Sequence, residues 1–127
     1  MSKVLIVEDN ATVLNLYRNA LRGAGFTVHA AADGAAGLAA VSAFEPDAVL
    51  LDLVLPSMDG LTLLRRLRAE PRHAALSVVV FSNAYTAEKL NEVWEAGATQ
   101  VPAKASTTPR HVIDAVRSAI AARTPEA

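Results

Sequence analysis

The strongest constraint on the fold is a repeated alternation of short apolar segments with longer stretches of helical periodicity. The predicted strands are Val4–Val7, Thr27–Ala30, Ala48–Leu51, Val78–Phe81 and a weaker Thr99–Pro102. The predicted helices carry apolar residues from Val13 to Leu21, at Leu38 and Val41, and from Leu61 to Leu67, Leu90 to Trp94 and Val112 to Ile120. Strict alternation with short loops requires right-handed crossovers. We therefore predict a doubly wound α/β fold, a parallel five-stranded sheet with helices on both faces.

Turn and capping residues agree with these boundaries. Gly23, Gly25 and Gly97 lie where helices are expected to end. Asp33 is placed to cap the second helix, and Thr108-Pro109 is typical of a helix start. The exposure of Trp94 on the fourth helix is left open, since either a core or a rim position fits the pattern.

Length and charge limit the class of protein. A chain of 127 residues fits one domain, predicted over residues 1–122, with a flexible tail or the start of a linker at 123–127. Twelve Lys and Arg against thirteen Asp and Glu give a formal charge of −1, which predicts no direct nucleic-acid binding. The absence of cysteine fits a cytoplasmic protein. No apolar run reaches membrane-spanning length, so we expect no membrane partner.

Acidic residues follow two of the predicted strands. Glu8 and Asp9 end the first strand, and Asp52 ends the third. If these strands are neighbours at the topological switch point, the three carboxylates share one crevice. Two carboxylates about 4 Å apart repel by roughly 4 kcal/mol at an effective dielectric near 20, so the cluster needs a cation or shifted pKa values. Oxygen ligands favour Mg²⁺, with Asp9 and Asp52 as direct ligands, Glu8 acting through water, and the backbone carbonyl of Val54 completing the set.

Two further polar residues are predicted to reach the same crevice. Ser82 follows the fourth strand, and Lys104 lies near the end of the fifth. A carboxylate nucleophile, a magnesium ion, a hydroxyl and an ammonium group together suit phosphoryl transfer to an aspartate. Nothing in this set suggests bond cleavage on a carbon substrate.

From residue 3 to about 122 the chain resembles the receiver domain of two-component response regulators, in particular single-domain, chemotaxis-regulator-like receivers. The matching residues are Val4-Leu5-Ile6-Val7-Glu8-Asp9, Pro46 to Asp52, Leu55 to Leu61, Val78 to Ser82, and Gly97-Ala98 with Lys104. The resemblance implies a flavodoxin-like sheet in the order 2-1-3-4-5. It also implies phosphorylation of Asp52, with Ser82 at the switch position and Lys104 contacting the phosphoryl group.

The resemblance further implies partners and an output. A sensor histidine kinase or a phosphotransfer protein supplies the phosphoryl group, and a downstream protein binds the face formed by the fourth helix, fifth strand and fifth helix. The chain is expected to catalyse only its own phosphorylation and dephosphorylation, and to be a monomer or weak homodimer.

Two departures from the family pattern support an alternative function. Val101 stands where receivers usually carry an aromatic residue, and Ala105 replaces the usual proline after the lysine. These changes fit a phosphorylation-independent interaction domain, or pseudo-receiver. A flavin-binding electron carrier is disfavoured because Glu8-Asp9-Asn10 would repel a phosphate, and a haloacid-dehalogenase-type hydrolase needs an aspartate where Val54 stands.

Overall fold

A computed structural model describes residues 2–53, 55, 58–81, 87–101 and 108–123. The strands in this part of the chain are β1 Lys3–Val7, β2 Thr27–Ala31, β3 Ala48–Asp52 and β4 Ser77–Phe81. The helices are α1 Ala11–Gly23, α2 Gly34–Phe44, α3 Gly60–Ala69, α4 Ala87–Glu95 and α5 Pro109–Arg123, with a 3-10 turn at Pro71–His73. Helix α5 includes Arg123, the first residue of the predicted tail, and the rest of that tail lies outside the described residues.

The described strands form a parallel sheet in the order β2-β1-β3-β4. Gln100 extends it beyond β4 by a parallel bridge to Val79, in which the Val80 N–H donates to the Gln100 carbonyl at 2.9 Å. The bridge lies where the fifth strand is predicted, and Pro102 at the end of that strand lies outside the described residues. The predicted doubly wound parallel α/β fold is confirmed.

The core consists of two apolar clusters on opposite faces of the sheet. The first cluster is built on α2 and α3, together with the strand residues Leu5, Val7, Val49, Leu51, Val78 and Val80. The second is built on α1 and α5, together with Val4, Ile6, Ala48, Leu50, Val79 and Phe81. Because successive strand residues point to opposite faces, a sheet covered on both faces requires the uninterrupted apolar runs seen in this sequence.

Local side chains fix where the helices begin and end. The Asp33 carboxylate accepts from the Ala36 N–H at 2.7 Å, and the Thr108 hydroxyl accepts from the His111 N–H at 3.2 Å, so both predicted caps are confirmed. Gly25 and Gly97 adopt positive φ angles of 100° and 103° beyond the ends of α1 and α4, as expected for residues that terminate helices.

The fourth helix has one buried and one exposed face. Val93 is fully buried in the first cluster, whereas Trp94 is 47% exposed. The position of Trp94 is therefore at the rim of the molecule. Within the part of the chain that the structure describes, no helix is both long and apolar enough to cross a bilayer.

Candidate acidic site at the carboxyl edge of the sheet

The acidic site is set by the pairing of β1 with β3. Val7, the last residue of β1, is in register with Leu51, so the residues that follow each strand meet at one edge. Glu8 and Asp52 are buried, with 1% and 6% of their surface exposed, while Asp9 is exposed. One carboxylate oxygen from each of the three residues lies within 4.8 Å of the others. The structure thus brings together the three acids that the sequence places at strand ends.

Backbone contacts hold Glu8 in this position. Its N–H donates to the Ala31 carbonyl at 3.0 Å, which extends the ladder between β1 and β2 by one residue. Its carboxylate accepts from the Asn10 N–H at 3.3 Å. Asn10 in turn caps α1, since its side chain accepts from the Val13 N–H at 3.1 Å. Glu8 and Asp9 therefore lie directly before the amino end of α1.

The main chain directly after Asp52 is held by the start of α3. The Gly60 N–H donates to the Leu53 carbonyl at 2.9 Å. A methyl group at Gly60 would lie 2.2 Å from the Asp52 carbonyl oxygen and 2.7 Å from the Leu53 Cα, closer than real side chains approach. Only glycine allows α3 to begin this close to the end of β3.

The donor set fits a hard divalent cation. Two carboxylate charges no more than 4.8 Å apart repel by about 3.5 kcal/mol or more at an effective dielectric near 20. Burial of Glu8 and Asp52 removes much of the water that would otherwise screen this repulsion. A cation held by carboxylate oxygens offsets it, and these are the ligands that Mg²⁺ prefers.

Three predicted site residues, Val54, Ser82 and Lys104, lie outside the described residues, so their roles stay predictions. Phe81, the last residue of β4, is in register with Asp52, so β4 ends at the same edge as the acids. Val101 is partly buried and packs against the first core cluster, so an aliphatic side chain occupies the position where receivers usually carry an aromatic residue.

The structure also reveals close glycine contacts that the sequence did not predict. Gly34, the first residue of α2, lies against Met58, and Gly37 lies against Val7. The repeated glycines in α2 were the available signal, but the sequence does not indicate which segments they approach.

A parallel α/β sheet with three acids at the carboxyl edge of its central strands defines the class of small doubly wound domains with an acidic crevice. The sequence model of the response regulator receiver domain matches residues 4–117, and the chain belongs to this family of two-component signalling domains. The predicted family is confirmed.

Two curated relatives and one solved structure are similar to this chain. The chain is 37% identical over 82 residues to the DNA-binding dual master transcriptional regulator RpaA of Synechocystis, and this alignment covers 65% of the chain and 34% of RpaA. It is 43% identical over 68 residues to the DNA-binding response regulator MtrA of Mycobacterium tuberculosis, and this alignment covers 54% of the chain and 30% of MtrA. The structure of the chemotaxis protein CheY4 of Vibrio cholerae superposes with a TM-score of 0.87 at 25% identity, over 94% of this chain and 98% of CheY4.

The prediction of no direct nucleic-acid binding is contradicted by the curated relatives. The matched part of the chain spans about a third of the length of these curated relatives, and those relatives are DNA-binding regulators. The prediction relied on a formal charge of −1. The charge of this 127-residue chain says nothing about the binding partners of relatives about twice as long.

Proposed function

We propose that the protein accepts a phosphoryl group on Asp52 from a histidine kinase or phosphotransfer protein and thereby switches a protein-binding surface. The observation that carries this proposal is the burial of Asp52 at the end of a central strand, with carboxylate oxygens of Glu8 and Asp9 within 4.8 Å. A buried aspartate among other acids is costly to keep for structure alone.

In the proposed reaction, an Asp52 carboxylate oxygen attacks the phosphorus of a donor phosphohistidine. The phosphorus–oxygen bond of an acyl phosphate forms as the phosphorus–nitrogen bond breaks, and the imidazole leaves with the bonding pair and takes up a proton. Asp9 and Asp52, with Glu8 through water and the Val54 carbonyl, would hold Mg²⁺, which when bound would supply charge that neutralises the phosphoryl oxygens. In this proposal Ser82 and Lys104 donate to the remaining oxygens.

The new dianionic group supplies the free energy for the switch, because its contacts exist only in the phosphorylated state. The exposed indole of Trp94 supports an output surface that includes α4, since exposed aromatic side chains are frequent anchors in protein interfaces.

The proposal is tested by intact-mass measurement after incubation with acetyl phosphate and Mg²⁺. We expect the gain of one phosphoryl group in the parent protein, and no gain in Asp52→Asn or in the presence of a chelator. Asp114→Asn is the matched control, since Asp114 is an exposed residue of α5 and the same substitution there leaves the acidic site intact.

A gain that persists in Asp52→Asn would overturn the assignment of the acceptor. A parent protein that gains no mass, and whose Trp94 fluorescence spectrum does not change with the phosphoryl mimic beryllofluoride, would instead favour the phosphorylation-independent interaction domain.

A further inference from the structure

Gly34 lies in a contact that admits no side chain. It is the buried first residue of α2, and a methyl group on its Cα would lie 2.0 Å from the Met58 carbonyl oxygen and 2.7 Å from the Met58 Cβ. Real Cβ atoms essentially never approach other heavy atoms within 3.0 Å. Helix α2 therefore reaches Met58 only because residue 34 is glycine.

Capping by Asp33 and close packing at Gly37 hold helix α2 in place. Asp33 caps it, with the Gly37 N–H donating to the Asp33 carbonyl at 2.9 Å. A methyl group at Gly37 would lie 3.0 and 3.1 Å from the two Val7 methyl carbons and 3.3 Å from Leu63, so α2 already packs tightly against β1 and α3. A side chain added at residue 34 would therefore displace Met58 rather than the helix.

Met58 is connected to Asp52 through the start of α3. Asp59, the next residue, caps α3 by accepting from the Thr62 N–H at 2.8 Å, and Gly60 follows it. Gly60 is in close contact with the Asp52 carbonyl and bonds the Leu53 carbonyl at 2.9 Å. A shift of Met58 is thus transmitted over two residues to the main chain of the proposed phosphoryl acceptor.

We propose that Gly34 is a positioning residue for the acidic site, a role that rests on the proposed function. By leaving room for Met58, it sets the position of the amino end of α3, and α3 sets the position of Asp52 relative to Glu8 and Asp9. Gly34 itself contacts neither the ion nor the phosphoryl donor in this proposal.

The test is Gly34→Ala, with Mg²⁺ affinity measured by calorimetry on the unphosphorylated protein. Lengthening the distance between the added Cβ and the Met58 carbonyl oxygen from 2.0 Å to 3.0 Å requires a displacement of about 1 Å. A misplacement of that size can lower the rate of a reaction between positioned groups roughly a hundredfold. Losing support behind metal ligands typically weakens metal binding about 10- to 100-fold, and we expect the Mg²⁺ dissociation constant to rise by at least the lower figure. The Mg²⁺ concentration for half-maximal phosphorylation by acetyl phosphate should rise in parallel.

Two control variants separate positioning from loss of stability. Gly23→Ala makes the same substitution where nothing lies within 4 Å of the added methyl group. Val116→Ala creates a cavity in the second core cluster, on the opposite face of the sheet from α2. Both should bind Mg²⁺ within about twofold of the parent protein, because distant independent sites do not couple.

A second variant keeps the test decisive if Gly34→Ala folds poorly. Glu45, at the far end of α2, has a φ of 52°, which glycine adopts more readily than glutamate. Glu45→Gly is therefore expected to stabilise the fold, and it is combined with Gly34→Ala. A weakened Mg²⁺ affinity in the folded double variant would support the positioning role.

A folded Gly34→Ala protein, alone or with Glu45→Gly, that binds Mg²⁺ as tightly as the parent would overturn the role of Gly34 while leaving the proposed function in place. A parent protein that neither binds Mg²⁺ nor gains a phosphoryl group would overturn both proposals.

Discussion

Among single residues, Asp52 and Glu8 combine deep burial with like charge. With carboxylate oxygens within 4.8 Å of each other, the like charges of the pair oppose folding, and a bound cation offsets this repulsion. We therefore expect Mg²⁺ to raise the free energy of unfolding, by about 2.7 kcal/mol at a concentration 100 times its dissociation constant. The measurement is urea unfolding of the parent protein with Mg²⁺ and with a chelator.

The same measurement on Asp52→Asn tests the cause of that stabilisation. Removing one of the clustered charges should abolish most of the response to Mg²⁺, whereas Asp114→Asn should keep the full response because Asp114 is exposed on α5. Equal stabilisation of all three proteins by Mg²⁺ would show that the ion acts elsewhere.

The positions of the acids could be predicted from the sequence because strand ends and parallel pairing bring them to one edge. Glu8, Asp9 and Asp52 each follow directly from that rule. The contacts of Gly34 and Gly60 could not be predicted, because each depends on a segment distant in the sequence or on the angle at which a helix leaves the sheet. The same holds for the unequal burial of Glu8 and Asp9, which adjoin in the sequence but face different surroundings.

At the scale of elements, the side chain of Arg68 joins α3 to two other segments. Its Nε and Nη2 atoms donate to the Gly97 carbonyl at 2.9 and 2.7 Å, and Nη1 donates to the His73 carbonyl at 2.9 Å. Burial lowers the pKa of the Arg68 guanidinium from its usual value, and these three bonds offset the cost of removing it from water. The end of α4 is thereby attached to α3 and to the 3-10 turn.

We expect Arg68→Lys to lower the free energy of unfolding by about 1 to 2 kcal/mol, because an ammonium group keeps the charge but cannot match the forked geometry. Thermal and urea unfolding measure the loss. Arg66→Lys, on an exposed position of the same helix, should stay within about 0.5 kcal/mol of the parent protein. Losses of the same size in both variants would mean that the guanidinium contacts contribute nothing specific.

Element boundaries were largely predictable because capping is local. Asp33 and Thr108 bond main-chain groups three residues away, within the reach of a sequence pattern. Asn10 and Asp59 also cap helices, each accepting from the N–H of the residue three positions later, and these two caps were not predicted from the sequence. The contacts of Arg68 span 29 residues to Gly97, and no local pattern in the sequence indicates them.

For the molecule as a whole, the sheet connects the two apolar clusters, one built on α2 and α3 and the other on α1 and α5. Each central strand sends alternate residues to both clusters, and the Ser77 hydroxyl of β4 donates to the Ala119 carbonyl of α5 at 2.8 Å on the face of the second cluster. Loss of either cluster would expose one face of every strand. The described fold should therefore unfold as a single cooperative unit.

A matched pair of substitutions tests this cooperativity. Val41 on α2 and Val116 on α5 are 1% and 0% exposed and belong to different clusters. Each valine-to-alanine change should lower the free energy of unfolding by about 1 to 3 kcal/mol through lost burial and the cavity left behind. Because the sheet separates the two sites, the double variant should lose the sum of the two single losses within about 0.5 kcal/mol. Circular dichroism and Trp94 fluorescence should report the same urea midpoint in every variant, and separate midpoints in either single variant would show that one face of the sheet can unfold without the other.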